Sequence, residues 1–106
     1  MAEVDWQDEK KLIELEKSYK EVCALIAATS DKDFLMDFFS CLFTKSERKN
    51  IAERWLLVKE ISSGLPQREI AKKYNMSLCK ITRGSKELKR KNSAFLKMLE
   101  LAEKDK

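Results

Sequence analysis

Histidine is absent from this 106-residue chain, glycine occurs only twice and proline once. Without histidine, neither a Ser–His nor a Cys–His catalytic pair can form within one chain, and a frequent zinc ligand is missing. Cys23, Cys41 and Cys79 are odd in number, far apart and lack a C-x-x-C spacing. That pattern argues against a metal site and a disulfide scaffold, and the thiols are expected to be buried and reduced. The scarcity of glycine and proline excludes collagen-like chains, flexible linkers and turn-rich β folds. It points to helices joined by short connections. No apolar run approaches the roughly 20 residues needed to span a bilayer. The opening MAEVDWQDEKK is acidic and polar, the wrong order for a secretory signal, so a cytoplasmic protein without a membrane partner is expected.

What is present fits one domain over residues 1–106. Hydrophobic residues make up 43% of the chain, ample for a core, and charged residues 38%. The net charge is +4, but it is unevenly placed. Residues 1–43 carry a net −5 and residues 44–65 a net +2, whereas residues 66–92 carry +7 and residues 93–106 none. A compact basic segment beside an acidic half can neutralise phosphates and release their counterions.

Hydrophobic spacing predicts three helices before the basic segment. Residues 8–28 carry Leu12, Leu15, Tyr19, Val22 and Ile26 at alternating spacings of 3 and 4, a seam for lengthwise helix packing. Ser30 followed by Asp33 marks the start of a second helix, about 31–43, rich in phenylalanine and leucine. Thr44-Lys45-Ser46-Glu47 is a capping-box pattern opening a third helix, about 45–62, in which Trp55 is a core residue and after which Gly64 is the stop. Trp6 is expected to anchor the N-terminal end. A 12.4 kDa chain has too little interior for these apolar faces, so part of them is expected to form a homodimer interface.

The basic segment reads as a helix-turn-helix. Pro66 suits the first turn of a short helix, Ile70 and Tyr74 point inward, and Ala71 lets a second helix cross closely. Asn75 tolerates the positive φ of a tight turn, Ser77 is the N-cap of the second helix and Ile81 its buried anchor. Leu78, Cys79, Lys80 and Thr82 then face outward, where they can meet base edges in a major groove. Lys86, Lys89, Arg90 and Lys91 follow and would reach phosphate. With Gln67, Arg68 and Ser77 these form the expected contact set for double-stranded DNA.

Phe43-Thr44, Glu47-Arg48, Arg54, Gly64, Gln67-Arg68-Glu69 and above all Ile81-Thr82-Arg83-Gly84-Ser85 with Leu88-Lys89 resemble the tryptophan repressor family of bacterial trp operons. The likeness runs from about Phe34 to Lys89 and more weakly to both ends, and I-T-R-G-S after a helix-turn-helix is specific. The resemblance implies an all-α fold, an intertwined homodimer of six helices per chain, with residues 66–89 as the helix-turn-helix and ligand-flanking segment. It also implies L-tryptophan as corepressor, with no other cofactor and no metal, and a palindromic operator controlling tryptophan biosynthesis or salvage genes. In such a site Arg54 and Arg83 would flank the indole, and Arg83 with the Thr44 hydroxyl would hold the carboxylate. Gly84 would leave room for the ring, and carbonyls near Cys41 and Phe43 of the other subunit would meet the ammonium. The family usually has serine at the position of Glu87. A glutamate there either pairs with the ligand ammonium or folds onto Arg83 or Lys91. The stretch 64–67 is also one residue shorter than usual.

Other readings are a DNA-binding protein of the same fold regulated without tryptophan or by a related ligand, and a helical interaction module whose basic face meets an acidic partner. An enzyme is disfavoured, because the chain has no glycine-rich phosphate loop or metal cluster and its acidic groups fall on solvent faces.

Overall fold

The computed structural model describes residues 8–104, which form six α-helices and, among the described residues, no strand. They are α1 (Glu9–Ala28), α2 (Lys32–Leu42), α3 (Lys45–Ser62), α4 (Gln67–Tyr74), α5 (Leu78–Lys89) and α6 (Ala94–Lys104). The expected anchoring role of Trp6 lies outside the described residues. The chain groups into two compact units, one ending at Leu42 and the other spanning Phe43–Lys106.

In the first unit, Asp8 caps α1 by accepting hydrogen bonds from the Lys10 and Lys11 amides. The start of α2 differs from expectation. Asp31, not Ser30, accepts from the Asp33 and Phe34 amides at 3.0 and 3.2 Å, because its carboxylate lies directly before the first turn. Neither helix has a buried residue. Within the expected seam, Leu12, Leu15 and Tyr19 are exposed while Val22 and Ile26 are half-buried. Phe34, Met36 and Leu42 add to the uncovered apolar surface of this unit.

The second unit carries the core. The capping box of α3 is complete: the Glu47 amide donates to Thr44 Oγ1 at 3.1 Å, and the Thr44 amide donates to Glu47 Oε1 at 2.8 Å. The far end closes as a Schellman turn, with Leu65 N–H on the Glu60 carbonyl, Gly64 N–H on the Ile61 carbonyl, and Gly64 at φ +95°. Pro66 precedes α4 as its cap, and Asn75 ends that helix at φ 54°, ψ 48°, the left-handed turn expected for it. Ser77 Oγ accepts from the Lys80 amide and opens α5. That helix runs further than the sequence suggested, so Lys86 and Lys89 belong to its last turn and Arg90 is its cap. Ser93 begins α6, its hydroxyl accepting from the Phe95 amide.

Leu57, Val58, Ile70, Met76, Ile81 and Leu88 are buried together, with Trp55, Tyr74, Phe95 and Leu99 packed around them. The cluster therefore draws on α3, α4, α5 and α6. A polar tie reinforces the α3–α4 contact, as Tyr74 Oη and Lys73 Nζ both donate to Glu60 Oε2, at 3.0 and 3.2 Å. Hydrogen bonding from Tyr74, then from Lys73, holds the Glu60 carboxyl below its ordinary pKa. Tyr74, then Glu60, raises that of Lys73. The cysteines depart from expectation, since all three are exposed in this chain. Cys23 and Cys41 lie on helices with no buried residue, and Cys79 lies in the first turn of α5, outside the face that carries the buried Ile81, Ser85 and Leu88. Among the described residues no helix is long and apolar enough to cross a membrane, and no cluster of three potential metal ligands occurs.

Two stability predictions follow from this core. Ile81→Ala leaves a void at a fully buried site and should cost about 2–5 kcal/mol in urea denaturation. Because the Glu60 pKa is depressed on folding, its contribution is present above the unfolded carboxylate value and is lost as pH falls through the folded one. The raised Lys73 gives the opposite limit, with its contribution lost as pH rises past the lysine range. Glu60→Gln should therefore melt below the native protein at neutral pH, and the two melting curves should converge in acid. A gap that persists below the carboxylate range would contradict this assignment.

Candidate functional site

The α5 helix presents three faces, as its angular spacing of residues dictates. Ile81, Ser85 and Leu88 point into the core and are buried. Leu78, Thr82, Lys86 and Lys89 form an exposed stripe. Cys79, Lys80, Arg83, Gly84 and Glu87 make the third face, and each lines a cavity of about 460 Å³ completed by Arg54, Leu57 and Val58 of α3 and Phe95 of α6. That volume lies in the usual range of small-molecule sites, roughly 300–1,000 Å³.

Four of the expected ligand residues, Arg54, Arg83, Gly84 and Glu87, thus meet in one cavity. Its wall is cationic and its floor is apolar, formed by Leu57, Val58 and Phe95. Arg54 and Arg83 are exposed and make no hydrogen bond or ion pair among the described residues, so both guanidinium groups are available. Lys80 is engaged, with Nζ 3.4 Å from Glu53 Oε1 on α3. The Glu87 carboxylate does not fold onto Arg83 or Lys91, since its Oε2 lies 3.2 Å from Arg90 Nη1. Thr44 and Phe43 do not line the cavity. Thr44 sits at the first residue before α3, about 15 Å along the helix axis from Arg54. Its Oγ1 accepts the capping bond, which leaves the O–H free to donate. The Phe43 carbonyl accepts from Arg48 Nη1 at 3.3 Å. Cys41 belongs to the first unit and is exposed.

Gly84 has a role the sequence did not disclose. A Cβ at this position would run into Leu57 Cδ1 on α3, so the missing side chain permits the close α3–α5 approach that forms the cavity floor.

The expected DNA-facing residues divide by environment. Arg68, Ser77, Leu78, Cys79, Thr82, Lys86, Lys89 and Arg90 are exposed, whereas Gln67 and Lys80 are half-buried. Thr82 Oγ1 donates to Gln67 Oε1 at 3.3 Å, a bond that links the starts of α4 and α5 on the outer side of the pair. Sequence spacing missed the Glu53–Lys80 and Glu87–Arg90 pairs. The first joins residues 27 apart, and the second competes with the i, i+4 choices Arg83 and Lys91 open to the same glutamate.

These features define an all-helical protein with a cationic, apolar-floored cavity beside a basic helix pair. The model of the family described as Trp repressor protein matches residues 17–103. A Trp operon repressor homolog of Chlamydia trachomatis serovar D is 37% identical over 86 residues, covering 80% of this chain and 92% of that protein. One from Chlamydia caviae is 38% identical over 82 residues, covering 76% and 78%, and one from Xylella fastidiosa strain M23 is 28% identical over 78 residues, covering 73% and 85%. No solved structure gives a significant match. The chain belongs to the Trp repressor protein family, a family of transcriptional repressors rather than enzymes.

The α3–α5 contact yields a direct test. In Gly84→Ala, the gain in helix propensity, about 1 kcal/mol, should offset most of the cost of displacing Leu57 Cδ1. Gly84→Val adds bulk that Leu57 cannot accommodate and should cost about 1–3 kcal/mol in urea denaturation. Equal stability of Gly84→Val and the native protein would contradict the close crossing.

Proposed function

We propose that this chain is a corepressor-dependent regulator that takes L-tryptophan in the cavity and binds a palindromic operator as a cytoplasmic homodimer. The observation that carries this reading is the pairing of Arg54 on α3 with Arg83 on α5 around one apolar-floored cavity. Guanidinium groups stack on aromatic rings and bond carboxylates in bidentate fashion, so one flat amino acid satisfies both demands. The Thr44 hydroxyl, whose proton is free of the capping bond, assists at the carboxylate. Carbonyls near Cys41 and Phe43 of the second copy receive the ammonium, at a helix C-terminus where such groups favour a cation.

Dimerisation accounts for the uncovered apolar side chains. Two helices of the first unit with no buried residue cannot be held by their own packing, and Leu12, Leu15, Tyr19, Phe34 and Met36 supply the surface a second copy would cover. In this reading α4 and α5 are a helix-turn-helix, with Leu78, Thr82, Lys86 and Lys89 as its exposed stripe and Arg68 beside them. Bound ligand, in contact with α3 and α5 together, favours the spread arrangement in which the two α5 helices are about 34 Å apart, one turn of DNA. Tryptophan biosynthesis or salvage genes are the fitting targets.

Titration of the purified protein with L-tryptophan should give one site per chain, and operator affinity at a fixed salt concentration should rise with ligand. Arg83→Ala should weaken ligand binding roughly 10- to 100-fold, the usual cost of losing a charged hydrogen-bond partner. Absence of binding heat together with tight, ligand-independent operator binding would favour a differently regulated DNA-binding protein.

A further inference from the structure

A polar bond crosses from α3 to α5 at the cavity. Lys80 Nζ lies 3.4 Å from Glu53 Oε1, and the two side chains are only 32% and 23% exposed, so salt screens the pair less than one on the open surface. Helix geometry sets its place. Glu53 is one turn before Leu57 on α3, and Lys80 is one turn before Gly84 on α5, and residues four apart share a helix face. The ion pair is therefore a second rung beside the Leu57–Gly84 contact, displaced toward the start of both helices. In the first turn of α5, Ile81 is the buried anchor and Lys80 adds the tie. Lys80 also lines the cavity with Arg54 and Arg83. A link between α3 and α5 is thus built into the chain, where a ligand touching both arginines would form another.

Resting on the corepressor reading above, we propose that Glu53 is a positioning residue for the DNA-reading helix. Acting through Lys80, it holds the first turn of α5 against α3 independently of ligand. It thereby supplies part of the docking that L-tryptophan would otherwise supply alone. Ligand binds the docked arrangement, so its apparent affinity scales with the fraction of chains already docked. Operator binding without ligand scales with the same fraction. Weakening the tie lowers both, whereas at saturating ligand, which itself enforces docking, operator affinity stays nearly constant. An ion pair that only stabilised the fold would lower the melting temperature and leave these affinities unchanged. A Lys80 that served DNA phosphate would behave oppositely, because removing Glu53 would free it and raise operator affinity with and without ligand alike.

The test compares the native protein, Glu53→Gln, which keeps the side chain's size, and the reversed pair Glu53→Lys with Lys80→Glu. In calorimetric titration, Glu53→Gln should bind L-tryptophan about three- to tenfold more weakly, between the worth of an exposed pair and that of a charged hydrogen bond. Its affinity for a palindromic duplex, selected with the ligand-saturated native protein, should fall by at least as much without ligand. At saturating ligand the fall should be less than about twofold. Hydrogen exchange of the α5 amides without ligand should be faster in Glu53→Gln and return toward the native rate in the reversed pair. The reversed pair is read by exchange and calorimetry alone, since it alters the charge on α5. Circular dichroism should show both variants folded, as the Leu57, Val58, Ile81 and Leu88 cluster is untouched. Unchanged exchange and unchanged ligand affinity in Glu53→Gln overturn this proposal alone, as does tighter duplex binding with and without ligand. Exchange in the reversed pair as fast as in Glu53→Gln overturns the ion pair as the cause. A native protein that answers L-tryptophan neither in heat nor in duplex affinity overturns the corepressor reading and this proposal with it.

Discussion

The contact between α3 and α5 organises the second unit. Gly84 lies against Leu57, close enough that a methyl group would clash, and Ile81 and Leu88 drop into the same buried cluster as Leu57 and Val58. That approach sets the depth of the cavity and brings Arg54 and Arg83 to its wall. It also gives α5 two duties, because the face beside its core anchors borders the cavity while another face carries Leu78, Thr82, Lys86 and Lys89 to solvent. A rigid helix couples the two faces by geometry, without any need for a chain of intermediates. Whatever occupies the cavity leans on the same element that presents the basic stripe.

Charge distribution supports the same division of labour. The acidic first 43 residues and the +7 segment at 66–92 are separated along the chain, and on α5 the cations are further sorted. Lys80 is held by Glu53, Arg90 is held by Glu87, and Arg83 is left without a partner among the described residues. Ion pairs at exposed positions contribute little to stability. Their value here lies in deciding which cations are available, and to which kind of anion.

Much of the second unit was legible in the sequence because its signals are local. The Thr44–Glu47 capping box, the Gly64 stop, the left-handed Asn75 and the Ser77 cap each depend on residues within a turn of one another, and each formed as read. Convergence of Arg54, Arg83, Gly84 and Glu87 was legible only through resemblance, since no periodicity relates α3 to α5. The partner of Glu87 was not legible, because a glutamate flanked by Arg83, Arg90 and Lys91 has several options that local preference does not rank. The failed expectation of buried cysteines arose from composition, which carries no information about helix face. The length of α5 was underestimated for a related reason: lysines in a last turn look like lysines in a loop. In the first unit the apolar seam of α1 was visible, yet its exposure shows that hydrophobic spacing reports a face to be covered without saying what covers it.

The central claim is that the two arginines and the apolar floor together form a clamp for a flat amino acid, and that this clamp is what joins the cavity to the basic helix pair. A crystal structure of the protein grown with L-tryptophan tests it most directly. The account predicts an indole ring lying between the Arg54 and Arg83 guanidinium groups, with its carboxylate on Arg83. Arginines splayed away from an empty cavity under saturating ligand would contradict it.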